Sequence, residues 1–510
     1  MAAPLYTTAS GRLWHAGNIL IVCVGLPARG KTHIARAIER YLRWMGVKIK
    51  VFSLGDYRRR MLGGAQQLPP DYFTLGLEGS KGEKSPETAK LRTSIREGCE
   101  QMVIDFYNKE GGQVAIYDAN NGTKQSRKVL GEKFEKLGVH VIFLESMCDN
   151  QDIVISNIRS VKISSPDYKG WDPEKAIEDY MSRIKDHEIH YEEVDETNWP
   201  HIKIINVGEK IMINKIYGYL QTRIIFFLMN IHNKYRTIYF ARSGQSLIEH
   251  SYKADSDLSD VGWDYAEKLK EFVLQRREKQ LAERKKTGIA VDENKKLTIW
   301  TSTRRRSHHT AWPFQKLGYR VVEKNQMCEI NPGVWDGLSP EMARERYPDE
   351  WARFLRDPYA HRAPRAESYH DLCVRLEPII VELEHEQDDL LIITHASVIR
   401  CLLAYLIGLP SSEVPAVEIA RGDLIQVTPT SYGVHSEAFH FWSGPAGLPT
   451  EYENYAESTM GKSDIPPIEE QEETHSVKSV DEAKTFAEAV AIQKTADTGE
   501  TVFTVPVTGL

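Results

Sequence analysis

The sequence predicts two consecutive α/β domains, and three observations carry that expectation. The first half alternates short apolar runs with helical stretches, the pattern of a mainly parallel sheet covered on both faces. A second series of the same kind begins at Thr237. Between the apolar run Ile19–Val24 and the helix that follows lies Gly25-Leu26-Pro27-Ala28-Arg29-Gly30-Lys31-Thr32, the glycine-bounded loop of a phosphate cradle.

In the first half the strand-like runs are Ile19–Val24, Val47–Phe52, Val114–Tyr117, Val139–Leu144 and Ile202–Val207, rich in the β-branched residues that suit strands. Pro173–His190 reads as a helix. Ile211–Ile231 is the most apolar stretch, but Lys215, Gln221 and Arg223 interrupt it, so a buried or domain-bridging helix is expected instead of a membrane span. The join falls near Asn230–Arg236. Beyond it come Thr237–Ala241, Leu297–Thr301, Leu390–Thr394 and Leu424–Val427, separated by helices such as Trp263–Glu278 and Ser368–Glu386. From about Ser443 the composition turns to Pro, Gly, Glu, Ser and Thr, which cannot bury a core, so a disordered tail is expected. The expected organisation is an extension (1–17), a first domain (18–232), a second domain (233–442) and the tail (443–510).

Composition narrows the partners. With 510 residues and a net charge of −7, the chain has no evident basic face, which argues against nucleic acid as a main partner. Six scattered cysteines without CxxC pairs read as reduced thiols, and the expected compartment is the cytoplasm. No secretory segment or membrane partner is expected.

The chemistry starts at the loop. Gly25 and Gly30 permit a tight turn whose N–H groups converge on phosphate at a helix mouth. Lys31 can reach the β- and γ-phosphates of a nucleotide, and the Thr32 hydroxyl can bind Mg²⁺. Asp118 ends the run Gln113–Asp118, before Ala119-Asn120-Asn121. A carboxylate there can hold Mg²⁺ or accept the proton of an attacking hydroxyl. It can equally cap the helix that begins near Thr123. Arg58, Arg59, Arg92, Lys162 and Arg183 together suggest a phosphorylated acceptor, since Arg forks suit phosphate. The expected activity is nucleotide-dependent phosphoryl transfer.

The second domain opens with Arg242-Ser243-Gly244-Gln245-Ser246, which resembles the Arg-His-Gly-Glu motif of the histidine phosphatase and phosphoglycerate mutase superfamily. Arg306, Glu329 and His395 match its later elements. In that superfamily the motif histidine takes the phosphoryl group, arginines and a second histidine bind it, and a glutamate protonates the leaving group. GLPARGKT, GDYRR, DANN, SPDY and MNIH occur in order ahead of it, so residues 18–440 resemble the 6-phosphofructo-2-kinase/fructose-2,6-bisphosphatase family. The resemblance implies a P-loop kinase domain followed by a histidine phosphatase-like α/β domain. It also implies ATP and Mg²⁺, with fructose 6-phosphate as acceptor at its 2-hydroxyl. Lys31, Asp118 and Cys148 would be catalytic, and Thr32 and Asp118 would hold the metal. Cys148 and Asn157 match ATP-side positions, and Arg58, Arg92, Lys162 and Arg183 match sugar-phosphate positions. A homodimer is compatible with the resemblance.

The departures are specific. Asn120 stands where the family has Thr and His187 where it has Tyr, so altered affinity is expected. In the second domain Ser243 replaces the histidine nucleophile, Gln245 a Glu and Glu249 an Asn that helps hold phosphate. A serine without an adjacent base is a poor nucleophile, and a carboxylate beside an anion repels it unless it turns away. A kinase with an inactive phosphatase half, resembling the family's kinase-only members with this serine, is therefore expected. A bifunctional enzyme and a non-catalytic sugar-phosphate sensor are the alternatives.

Overall fold

The computed structural model describes residues 17–444, apart from 76–82, 151–153, 156, 159–165, 169–171, 197, 207–208, 233–235, 250, 287–294 and 431–432. It also describes two short paired strands, Gln493–Lys494 and Thr501–Val502. The remainder of the tail expected to be disordered lies outside the described residues, as does Lys162.

The first sheet has strand order β2-β3-β1-β4-β5-β6, from β1 (Ile19–Val24), β2 (Ile49–Ser53), β3 (Val114–Asp118), β4 (His140–Met147), β5 (His201–Ile205) and β6 (Lys210–Asn214). All pairs are parallel except β5 with β6. Strand β1 is central and apolar at every position because both its faces are covered. Ile19, Ile21 and Cys23 join one core, while Leu20, Val22 and Val24 join another with Phe52, Val103 and Phe134.

Local chemistry sets the helix starts. α1 (Lys31–Trp44) begins after Gly30 at φ 85°, a left-handed turn that glycine allows. α2 (Leu54–Leu62), α3 (Pro86–Asn108), α4 (Lys124–Glu135) and α5 (Pro173–Ile189) start on side-chain caps from Ser53, Ser85, Thr123 and Asp172. Pro86 and Pro173 occupy first-turn positions, where a missing N–H costs nothing.

The expected helix over Ile211–Ile231 is corrected. Its first part is edge strand β6, and only Tyr219–Leu228 is helical, as α6. Lys215 at φ 51° and Gly218 at φ 103° break the run between them. An apolar stretch of this length has no periodicity that separates strand from helix. The bridging part of the expectation agrees with α6, whose Phe227 stacks on Tyr41 of α1 with centroids 4.3 Å apart while its Arg223 pairs with Glu377 of the second domain.

The second sheet has order β12-β11-β7-β10-β8-β9, from β7 (Ile238–Arg242), β8 (Leu297–Thr301), β9 (Arg320–Glu323), β10 (Asp389–Thr394), β11 (Asp423–Thr430) and β12 (Gly433–His440). Strands β7 to β10 run parallel, and the β11–β12 hairpin adds antiparallel to β7. Around it pack α7 (Asp260–Lys286), α8 (Arg305–Lys316), the short α9 (Pro340–Arg346) and α10 (Pro348–Arg356), α11 (Tyr369–His385) and α12 (Ala396–Ile407). A capping box of Ser368 and Asp371 starts α11. The core on the α1 side of the first sheet continues into the second domain through Ile238, Leu376 and Leu402. No helix among the described residues is long and apolar enough to cross a membrane.

Candidate active site

The carboxyl ends of β1, β2 and β3 open onto one cleft of about 500 Å³, where the loops of a parallel sheet gather ligands. The loop after β1 arches over it. A Cβ on Gly25 would fall 2.5 Å from the Ser146 carbonyl oxygen, so only glycine fits. Lys31 Nζ donates to the Leu26 carbonyl at 2.6 Å, and the Arg29 carbonyl accepts the Ser146 hydroxyl at 2.5 Å. Asn157 donates to the Ala28 carbonyl at 3.0 Å, so it braces the loop. Arg29 reaches Glu188 at 3.5 Å.

Asp118 ends β3 and is buried. Thr32 donates its hydroxyl to Asp118 Oδ2 at 2.8 Å, which brings two hard oxygens together beneath the cradle. Burial pushes the Asp118 carboxyl up, against the pull of Thr32 and Lys31. The cap for α4 comes from Thr123 instead. The loop after Asp118 is stitched to the cradle: Gly25 N–H donates to the Asn120 carbonyl at 3.0 Å and Asn121 to the Cys23 carbonyl at 2.8 Å.

Burial lowers Lys31 to a pKa of about 8, although Asp118 and Cys23 oppose it. His187 is lowered to about 4 by burial and then by Arg92 and Lys31, which leaves it neutral. Arg92 donates to the Thr74 carbonyl at 2.8 Å. Arg183 lies with its guanidinium 3.4 Å from the Phe73 ring centroid and pairs with Asp179 at 2.6 Å. Arg58 makes a two-pronged pair with Asp167, at 2.8 and 2.6 Å, and Arg59 shares that carboxylate at 3.0 Å. Lys31, Arg58, Arg92, Asn120, Arg183 and His187 thus line one cleft. Cys148 instead sits in a small apolar cluster with Val154, Ile158 and Ile184. Nothing in the local sequence marks Phe73 or Asp167 individually. Asp167 lies 109 residues from Arg58, and no local spacing connects them.

The second sheet gathers the other set of residues at its own carboxyl edge. Ser243 is buried after β7, and its N–H donates to the Thr394 carbonyl at 2.9 Å. A Cβ on Gly244 would fall 2.8 Å from the Gly262 carbonyl oxygen. Arg306 pairs with Glu329, and His395 Nε2 lies 2.9 Å from the Ser302 hydroxyl. Burial, then the charges of Arg306 and Arg304, hold His395 far below the usual imidazole range. Arg242 is pushed to about 10 by burial and by Arg421, and it donates to the Ile419 carbonyl at 3.0 Å. Glu249 is neutralised by Arg421 through bonds of 2.9 and 3.2 Å. Its carboxylate has turned to a counter-ion that sequence spacing does not reveal. The cavity beside Arg306 and Glu329 measures only about 10 Å³.

Residues 6–235 match the family model described as 6-phosphofructo-2-kinase, and residues 238–440 match that of the histidine phosphatase superfamily, branch 1. Over 435 residues the chain is 39% identical to a Saccharomyces cerevisiae protein provisionally named 6-phosphofructo-2-kinase/fructose-2,6-bisphosphatase, with 83% of each chain covered. A fructose-2,6-bisphosphatase of the same yeast is 36% identical, covering 82% of this chain and 87% of that one. Human 6-phosphofructo-2-kinase/fructose-2,6-bisphosphatase 3 is also 36% identical, covering 82% and 76%.

Proposed function

Because the chain belongs to the 6-phosphofructo-2-kinase/fructose-2,6-bisphosphatase family, we propose that it transfers the γ-phosphoryl of ATP to the 2-hydroxyl of fructose 6-phosphate. The observation that carries this reading is the Thr32–Asp118 pair, 2.8 Å apart beneath a glycine cradle that also presents Lys31. Two hard oxygens suit Mg²⁺, which Thr32 and Asp118 would hold and which would neutralise charge on the transferring group. Asp118 can also take the proton of the attacking hydroxyl. Arg92 and Arg183 would hold the 6-phosphate, with His187 and Asn120 against the sugar and Lys162 as a further cation. Arg58, already bound to Asp167, supports that end by shaping it. Cys148 would act through the packing behind the nucleotide side. The domains would run 18–232 and 233–442, between the extension (1–17) and the tail (443–510).

The second domain we read as an inactive phosphatase, in which Ser243 stands at the nucleophile position and Arg306, Glu329 and His395 are engaged with protein groups. The cytoplasm is the proposed compartment, and no nucleic-acid partner is proposed.

The pH dependence of ATP capture tests the loop. Lys31 binds phosphate when charged, and in the free protein it loses its proton near pH 8. The kcat/KM for ATP therefore falls as pH rises from about 7 to about 9, because that ratio reports the free enzyme. With nucleotide bound, phosphate oxygens favour the charged form, so kcat holds to higher pH. Lys31→Arg removes the fall, since a guanidinium stays charged. A flat wild-type profile over that range contradicts this role for Lys31.

A homodimer is proposed through β6. Its outer edge has no strand partner among the described residues, and Met212, Ile213, Tyr217, Tyr219, Phe226 and Met229 are exposed around it. An open apolar edge is a template for another strand. Ile213→Lys yields a monomer by light scattering under this reading. A wild-type monomer, or a dimer unchanged by Ile213→Lys, contradicts it.

A further inference from the structure

One face of α1 leaves its own domain. His33, Arg40, Tyr41 and Trp44 share that face at helical spacing. His33 Nε2 lies 3.1 Å from the carbonyl of His232, the last residue of MNIH. Arg40 donates to Glu384 Oε1 at 3.0 Å, Tyr41 to Glu377 Oε1 at 3.1 Å, and the Trp44 ring meets Tyr405 edge-on at 5.8 Å. Glu377 and Glu384 belong to α11 and Tyr405 to α12, all in the second domain.

Glu384 is the centre of this junction. It also accepts the Tyr405 hydroxyl at 2.6 Å and Arg236 of the interdomain segment at 3.4 Å. The side chains of Arg40, Glu384 and Arg236 are only 10%, 6% and 5% exposed. Burial alone would raise the Glu384 carboxyl, yet Arg40 and Arg236 hold it near 2, so the group stays ionised. Such a buried ion cluster adds little net stability, because each ion is stripped of water, and its best-attested use is fixing register. What it fixes here is the height and rotation of α1, whose first turn carries Lys31 and Thr32. Arg40 lies nine residues along that helix, about 13 Å from Lys31 along the axis. A helix transmits a displacement over that length with little loss, and misplacement by about 1 Å can cost about a hundredfold in rate.

Resting on the reading of the loop as an ATP site, we infer that Glu384 is a positioning residue for ATP: through it the second domain holds α1 so that Lys31 and Thr32 meet the triphosphate. A domain with serine at its nucleophile position then keeps a physical role in the kinase reaction. The acceptor end is outside this tie. Arg92 and Arg183 sit on α3 and α5, and their partners Thr74 and Asp179 belong to the first domain.

The test uses the full chain as wild type, Glu384→Gln and Tyr405→Phe, measuring binding of a fluorescent ATP analogue and both KM values. Glu384→Gln removes the charge that two guanidiniums face, whereas Tyr405→Phe removes one hydrogen bond and keeps the ring against Trp44. Analogue Kd and KM for ATP should rise about tenfold in Glu384→Gln and about threefold in Tyr405→Phe, with KM for fructose 6-phosphate within about twofold of wild type. Lowered melting temperature with wild-type ATP affinity overturns the inference. So does an equal rise in both KM values. If Glu384→Gln does not fold, Tyr405→Phe decides, and unchanged ATP affinity in it is refuting. Wild type that fails to bind the analogue instead refutes the loop as an ATP site, a distinct failure.

Discussion

Lys31→Met and Asp118→Ala each lose at least about a hundredfold in kinase turnover while remaining folded. In the proposed reaction Lys31 would supply positive charge where negative charge builds on the transferring phosphoryl group, and methionine keeps its length without that charge. Asp118 would serve the metal or the acceptor hydroxyl. Removing one such contact typically costs about 3 kcal/mol in the transition state. The fold survives because the site works against its own charges: burial pushes Asp118 up and Lys31 down. Neither group is ionised for stability, so neutral replacements relieve a cost of folding. Near-normal turnover with fructose 6-phosphate in either purified variant places the chemistry elsewhere.

Fructose 2,6-bisphosphate labelled at the 2-phosphate yields neither labelled protein nor free phosphate above background. On the family resemblance the phosphoryl group should pass to a histidine, and Ser243 is the residue we read at that position. A serine hydroxyl needs a base to become nucleophilic, and His395, though neutral, lies with Nε2 against Ser302. Arg306 is paired with Glu329, and Arg421 with Glu249, so cations that could receive phosphate are already neutralised. Ser243→His alone recovers little. Adding Gln245→Glu and Glu249→Asn is the stronger rescue, because the asparagine frees Arg421 from its counter-ion. Robust hydrolysis that survives Ser243→Ala and disappears in His395→Ala would point to a different nucleophile and sink this reading.

The legible parts of the chain were those set by local chemistry. β1 and β8 have the bounds their apolar runs indicate, because a central strand buried on both faces has no other use for such a run. The loop from Gly25 to Thr32 was readable because its glycines answer a steric demand, visible in the 2.5 Å approach a Cβ on Gly25 would make. β6 was not readable, since Ile211 and Ile213 continue into an apolar helix across a break made only by backbone torsion. Pairings across the fold were also hidden. Arg421 lies 172 residues from Glu249, and Glu384 lies 344 from Arg40, so no spacing rule connects them. Charge type alone suggested repulsion at Glu249, and only the tertiary fold supplies its counter-ion.

The most direct test of the central claim is the position of the phosphate in the product made from ATP, Mg²⁺ and fructose 6-phosphate by the purified full chain. A phosphate on the anomeric 2-oxygen is released by mild acid, while the 6-phosphate is not. The expected result is stoichiometric ADP and one new acid-labile phosphate per sugar, lost in Lys31→Met. An acid-stable product, or ATP consumed without any phosphorylated sugar, would contradict it.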